Sequence, residues 1–112
     1  MPKGDALGEF EQLVLLAILR LQKDAYGMRV RQELSDRTSR DVTIGAVYAT
    51  LDRLAEKGFV DSATGDPTPE RGGRAKRCFR VTAAGIGALD RARRDLANML
   101  EGVVLPHPRG AQ

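Results

Sequence analysis

The sequence predicts a mainly α-helical fold that carries a single β-hairpin. Apolar residues recur with helical spacing in four segments of the chain. One short segment with alternating apolar and polar residues precedes the last helix, and basic residues cluster directly before it. The expected order of elements is therefore helix, helix, helix, strand, strand, helix.

Length and composition are those of one globular domain. The chain has 112 residues, of which 42% are hydrophobic and 29% are charged. No apolar run approaches the roughly 20 residues of a membrane span, and residues 1–5 lack the features of a signal peptide. A single cysteine, Cys78, excludes an internal disulfide and fits a reducing compartment. We therefore expect a cytoplasmic protein without a membrane partner.

Residues 7–21 are predicted to form the first helix, with Glu9 and Glu11 in its first turn. Its i, i+3, i+4 stripe consists of Phe10, Leu13, Val14, Ala17, Ile18 and Leu21. Three further leucines, Leu15, Leu16 and Leu19, lie off that stripe. A helix that is apolar nearly all round must be buried on more than one side. These three leucines are therefore predicted to contact a second copy of the chain.

The next two helices follow recognisable N-cap residues. Asp24 is the expected N-cap of the second helix, over residues 25–37. Thr43 is the expected N-cap of the third helix, which ends at Lys57 and is followed by Gly58 in a left-handed conformation. The third helix has a predicted buried stripe of Ile44, Val47, Leu51, Leu54 and Ala55. Its other face carries Gly45, Ala46, Ala49, Thr50 and Arg53, with Tyr48 near the boundary.

A second helix, a polar turn and a third helix with a small outer face form a helix-turn-helix pattern. The first turn of such a recognition helix lies closest to the bases in the major groove. Small residues at Gly45, Ala46 and Ala49 allow a close approach, while Thr43, Thr50 and Arg53 supply polar groups for bases or phosphates. The pattern alone is equally compatible with an amphipathic helix whose outer face is inert.

The hairpin supports the DNA-binding interpretation. Strands are predicted over residues 59–63 and 77–82, around a turn-rich segment at 65–73. Positive charge is concentrated here: residues 1–60 contain nine basic and nine acidic residues, whereas residues 70–80 contain five basic residues against Glu70 alone. A basic loop beside a recognition helix can reach phosphates or the minor groove. The residues predicted to do so are Arg71, Arg74, Lys76 and Arg77.

Thr82 is the expected N-cap of the last helix, over residues 83–104. An a/d seam with 3, 4, 3, 4 spacing runs along it through Leu89, Ala92, Leu96, Met99 and Val103. The seam predicts dimerisation, although packing on the helix's own domain is the alternative. The expected organisation is a winged helix-turn-helix domain at residues 7–82, a dimerisation helix at 83–104, and a disordered tail at 105–112.

Three segments together resemble PadR-type transcriptional regulators. These are LGEFE (7–11) with AYG (25–27), GAVYATLDRLAEKGFV (45–60) and GGRAKRCFRVTAAG (72–85). The resemblance implies a winged-helix dimer of the subgroup with one C-terminal helix, which usually represses transcription and is often released by a small molecule or another signal. It also implies that Tyr48 contacts the DNA backbone and that Arg74 and Lys76 are basic wing positions. The sequence departs from the family pattern at Ala49, where many members have proline.

The expected function is sequence-specific binding of double-stranded DNA by a homodimer, with a small-molecule effector of unspecified identity. No convergent acid, base or nucleophile, metal-ligand cluster or phosphate-binding glycine loop is recognisable, so we expect neither an enzyme nor a cofactor. The alternative is a winged-helix module that binds proteins and has lost specific DNA binding. Cys78 stands where the family often has an aromatic residue, and it is expected to be structural rather than a redox switch.

Overall fold

The computed structural model describes residues 6–64 and 76–106. It contains four α-helices and a two-stranded antiparallel sheet, in the predicted order of a mainly α-helical fold with a wing. The elements are α1 (Glu9–Leu21), a short 3-10 helix (Gln22–Asp24), α2 (Gly27–Arg37), α3 (Ile44–Glu56), β1 (Val60–Thr64), β2 (Arg77–Val81) and α4 (Ala83–Leu100).

The core lies where α1, α2 and α3 meet the hairpin. Val14 and Leu15 of α1, Val30 of α2 and Leu51 of α3 are fully buried, and Phe79 joins them from β2. Burying such side chains stabilises the fold by about 1.5–3 kcal/mol each. Leu15 was predicted to contact a second subunit, but this expectation is wrong, because its side chain is fully buried in the core of its own chain.

Both ends of α3 are closed as the sequence predicts. The Thr43 hydroxyl accepts a hydrogen bond from the backbone N–H of Ala46 at 3.1 Å. At the other end Gly58 has a φ of +79°, and the N–H of Phe59 donates to the carbonyl of Leu54 at 2.9 Å. These caps fix where α3 begins and where the chain turns into the hairpin.

The predicted start of the second helix is wrong. Asp24 ends a 3-10 turn instead of capping α2, and the helix begins two residues after the expected Ala25, with Tyr26 as its N-cap. The reason is tertiary. The carbonyl of Ala25 accepts a hydrogen bond from the N–H of Phe79 at 2.8 Å, and Tyr26 pairs with Cys78 across an isolated antiparallel bridge.

The hairpin pairs Val60 with Val81 and Thr64 with Arg77 at the two ends of its register. β1 begins one residue later than predicted, because Phe59 closes the end of α3, and β2 ends one residue earlier, because Thr82 caps α4. β2 is hydrogen-bonded on both edges, to β1 and to the chain entering α2. The root of the wing is thus tied to the helix-turn-helix.

The last helix is shorter than expected. It ends at Leu100, and Gly102 follows with a φ of +78°, so Val103 lies beyond the helix and not on its seam. Leu89 is partly buried and packs against the core of its own chain, as the alternative interpretation of this helix expected, and its place in a dimer interface stays a prediction. Ala92 is half-buried, while Leu96 and Met99 are 60% and 78% exposed. Of the predicted tail at 105–112, residues 107–112 lie outside the described residues.

Within residues 6–64 and 76–106, none of the helices combines the length and the apolar character that crossing a membrane requires.

Candidate nucleic-acid interface

The first turns of α3 present small residues to solvent. Gly45, Ala46 and Ala49 are all exposed. A Cβ built on Gly45 would meet no atom within 4 Å, so the fold itself does not require glycine there. Since the packing of α3 leaves this surface bare, another molecule can approach the helix backbone closely.

Two polar residues of the predicted recognition face, Thr50 and Arg53, are hydrogen-bonded to each other. Thr50 is only 2% exposed, and its hydroxyl accepts a hydrogen bond from the Arg53 guanidinium at 3.0 Å. Its predicted contact with DNA is therefore wrong. Ala55, predicted to be buried, is exposed instead. The buried side of α3 therefore includes Thr50 and excludes Ala55.

Arg53 belongs to a charged cluster that joins α1 to α3. The Lys57 ammonium donates to both carboxylate oxygens of buried Glu11 at 3.0 Å, and the Arg53 Nε lies 3.7 Å from one of them. The N–H of Gly8 donates to the same carboxylate at 2.8 Å. Burial raises the pKa of Glu11, but the Gly8 N–H and the two cations lower it more, so it lies below its ordinary value of 4.5. Arg53 is half-exposed and remains able to reach a phosphate.

Tyr48 lies beside the beginning of α2. Its side chain is packed so closely over Gly27 that a Cβ on this glycine would overlap the phenol ring. Tyr48 is still 41% exposed. No side chain caps the N-terminus of α2, and the N–H groups of an uncapped first turn attract anions. Gly27 itself is buried, so the partly exposed phenol lies directly over the start of α2.

The wing adds positive charge to that surface. The Lys76 ammonium lies 4.0 Å from the centroid of the Tyr26 ring. Tyr26 directly precedes Gly27 in the chain. Arg77 stacks over Phe79 at 5.0 Å and donates from Nε to the Ser62 hydroxyl at 3.0 Å. Arg71 and Arg74 lie outside the described residues.

Sequence reasoning missed the contacts that hold this surface together, which are made by half-buried Tyr26 and buried Gly27. The structure brings Tyr48 of α3 and Lys76 of the wing to these two neighbouring residues. The sequence signal that could have indicated these two residues is the AYG segment at 25–27, which is one of the segments that resemble the family. Among the described residues, no three His, Cys, Asp or Glu side chains come together as a metal site would require.

Comparison with known proteins identifies relatives over most of the chain. The profile described as "Transcriptional regulator PadR-like family" matches residues 15–91. "Uncharacterized protein X" of Lysinibacillus sphaericus is 31% identical over 104 residues, which cover 90% of this chain and 91% of that protein.

Two solved structures share the fold. A PadR family transcription regulator from hypervirulent Clostridium difficile R20291 superimposes with a TM-score of 0.67 at 16% identity, covering 82% of this chain and 92% of that one. The complex structure of hsRosR-S4 gives a TM-score of 0.69 at 21% identity, covering 90% and 80%.

Proposed function

The chain belongs to the PadR-like family of transcriptional regulators, and from this membership we propose that it is a homodimeric, sequence-specific binder of double-stranded DNA. We propose further that it acts in the cytoplasm as a repressor, is released by a small-molecule or other signal, and is not an enzyme. The observation that carries the proposal is the convergence of Tyr48 and Lys76 at the uncapped start of α2, beside the small outer face of α3.

In the proposed complex, the N-terminal half of α3 enters the major groove. Gly45, Ala46 and Ala49 allow the helix backbone to approach base edges, and Thr43 lies at the entering end. Asp52 and Glu56 are exposed farther along the same helix. Their charge is repelled by phosphates, which favours a helix that inserts its first turns and diverges from the DNA afterwards.

Phosphate contacts are assigned to the groups around that helix. Tyr48, Lys76 and Arg77 surround the start of α2 and the root of the wing, and Arg53 lies at the far end of α3. Arg71 and Arg74 are proposed to extend the same contacts along the wing. Such contacts fix the register of the protein on the duplex and make its affinity depend on salt.

A dimer is proposed because two apolar surfaces remain uncovered in one chain. Leu16 and Leu19 of α1 are 44% and 40% exposed, and Leu96 and Met99 of α4 are more exposed still. Apolar side chains at these positions favour burial against a second copy. Two copies would then present two recognition helices to two half-sites.

Selection of bound sequences from a random pool of duplex DNA tests the proposal. We expect enrichment of a two-fold symmetric site, and a Kd for that site that rises steeply with salt. Lys76→Ala should flatten the log–log salt dependence by on the order of one unit. A protein-interaction module would instead enrich no sequence and would elute from heparin at low salt.

A further inference from the structure

Arg53 projects from the side of α3 that faces the beginning of α1. Its Nε lies 3.7 Å from the carboxylate of Glu11 in the first turn of α1, whereas the Tyr48 ring lies against the start of α2. Successive residues of an α-helix are about 100° apart, which separates Tyr48 and Arg53 by about 140° around the helix axis. A helix in the major groove runs between two phosphate backbones. The two side chains are therefore directed toward different DNA strands.

Two buried side chains hold one edge of the Arg53 guanidinium. Nη2 donates a hydrogen bond to the Thr50 hydroxyl at 3.0 Å, and Nε faces Glu11 Oε2. Thr50 and Glu11 are both buried, so close packing keeps them in place. Because a guanidinium is planar and its donors form a fixed fork, holding the Nε–Nη2 edge also fixes the direction of Nη1.

Glu11 is itself held by donors other than Arg53. The Lys57 ammonium donates to both carboxylate oxygens at 3.0 Å and to the carbonyl of Ala6 at 3.1 Å. The Gly8 N–H donates to Glu11 Oε1 at 2.8 Å. Arg53, at 3.7 Å, is too distant for a hydrogen bond to this carboxylate. Its charge attracts Glu11, but its donors are not used by it.

The rest of the guanidinium is available to an outside acceptor. The Arg53 side chain is 54% exposed. Within residues 6–64 and 76–106, its hydrogen bond to Thr50 is the one it makes, and that bond engages Nη2. An arginine fork can donate two parallel hydrogen bonds to a phosphate. A fork that is already oriented loses less conformational entropy when it binds.

These contacts are not needed to join the helices. Lys57 already connects α3 to α1 through Glu11, and the hydrogen bond between Arg53 and Thr50 stays within α3. What the two contacts to Arg53 accomplish is to orient its side chain.

We propose that Thr50 and Glu11 are positioning residues of the DNA interface, which hold the Arg53 guanidinium ready for a phosphate on the DNA strand opposite the one that Tyr48 contacts. This inference rests on the proposed function and goes beyond it, because it gives two buried residues a part in DNA affinity. Neither residue touches the DNA, and both act through Arg53.

A double-mutant cycle on the affinity for the selected duplex tests whether Thr50 acts through Arg53. Thr50→Val and Thr50→Ala remove the hydroxyl, Thr50→Ser retains it, and Arg53→Gln removes the cation. Fluorescence anisotropy over a range of salt gives the Kd of each variant and of the combined variants, and urea unfolding identifies those that are folded. Arg93→Gln, at an exposed position of α4, is the matched control for loss of one positive charge.

We expect Arg53→Gln, but not Arg93→Gln, to raise the Kd and to flatten the log–log salt dependence by on the order of one unit. Thr50→Val should raise the Kd about five-fold and retain the salt slope, because the cation is still present but no longer oriented. Thr50→Ser should bind as the wild type does. In the Arg53→Gln background, Thr50→Val should change nothing further.

Glu11 is tested in the same way and also without DNA. Glu11→Gln should raise the Kd more in the wild-type background than in the Arg53→Gln background, a comparison that cancels the general effect of losing one negative charge. NMR relaxation of the Arg53 Nε–H in the free protein should show a more mobile guanidinium in Thr50→Val and in Glu11→Gln than in the wild type.

An equal rise in Kd from Thr50→Val in both backgrounds would overturn the proposal, because the hydroxyl would then support the helix and not Arg53. An unchanged Kd in folded Thr50→Val or Thr50→Ala would also overturn it, as would equal mobility of the Arg53 Nε–H in all variants. If the wild type binds the selected duplex and Arg53→Gln binds it equally well, this inference alone is wrong. Absence of any selected duplex would contradict the proposed function, and this inference with it.

Discussion

The phenol ring of Tyr48, on the recognition helix, lies against the backbone of Gly27 at the start of the preceding helix. The contact joins the two helices of the helix-turn-helix at the surface proposed to meet the DNA backbone. Any side chain at Gly27 must displace the ring, because a Cβ would occupy the same space.

Gly27→Ala should therefore weaken DNA binding without unfolding the protein. Alanine favours helix more than glycine does, and the exposed Tyr48 ring can move away, so the fold tolerates the change. A misplaced phenol loses its phosphate hydrogen bond, for which we expect about a ten-fold higher Kd. Fluorescence anisotropy with the selected duplex measures this, with Tyr48→Phe as the matched loss of the hydroxyl alone. An unchanged Kd in folded Gly27→Ala would remove Tyr48 from the interface.

Ala46→Leu should abolish specific binding while the thermal midpoint stays close to that of the wild type. The added side chain projects from the exposed first turn of α3 and separates its backbone from the groove. Ala55→Leu is the matched control, since Ala55 is also exposed on α3 but lies in its last turn. Retention of operator affinity by a folded Ala46→Leu variant would show that another surface reads the DNA.

Leu96→Asp should dissociate the dimer and leave the monomer folded. Leu96 is 60% exposed in a single chain, so the carboxylate is solvated there, whereas burying it unpaired in an interface costs several kcal/mol. Sedimentation velocity distinguishes the two states. Asn98→Asp introduces the same charge at an exposed position of α4 and should remain dimeric. A dimeric Leu96→Asp protein would place the interface elsewhere.

Gly85→Ala should destabilise the fold by roughly 1–3 kcal/mol. Its Cβ would overlap the backbone carbonyl of Phe59 and come within 2.8 Å of Val81 Cγ1, and a backbone carbonyl cannot move cheaply. Gly87→Ala, two residues along the same helix, is the contrast. Its Cβ would find only Arg91 Nη1 at 3.6 Å, so helix propensity should add up to about 1 kcal/mol of stability. Urea unfolding should show these opposite signs, and equal effects would contradict the close approach at Gly85.

Acid should remove the contribution of Glu11 to stability. Its pKa in the folded chain is lowered below the ordinary 4.5, so the stabilisation is fully present above pH 4.5 and is lost as the pH falls through the folded pKa. Glu11→Gln should cost roughly 1–3 kcal/mol at pH 7 and flatten the pH dependence below 4.5. Glu9→Gln, at an exposed position of the same turn, should leave both nearly unchanged. If the Glu11→Gln variant lost the same amount of stability in acid, other carboxylates would be responsible for the pH dependence.

The sequence by itself determined the elements whose signals are local. Thr43 and Thr82 cap the helices they were predicted to cap, and Gly58 has the left-handed conformation expected after α3. A hydroxyl three residues before a free N–H, or a glycine after an apolar stripe, acts within one turn of the chain. For this reason the element order and the fold class could be predicted without tertiary information.

Only the tertiary structure decided which face of each helix is buried within the chain. Leu15 and Thr50 were assigned to partners outside the chain, yet both are buried within it. Several elements pack against α1, and the hydroxyl of buried Thr50 accepts a hydrogen bond from Arg53 of the same helix. The start of α2 was likewise set by pairing of residues 25 and 26 with β2, some fifty positions later in the chain. Periodicity shows that a face is apolar or polar, but what it packs against depends on contacts between segments distant in sequence.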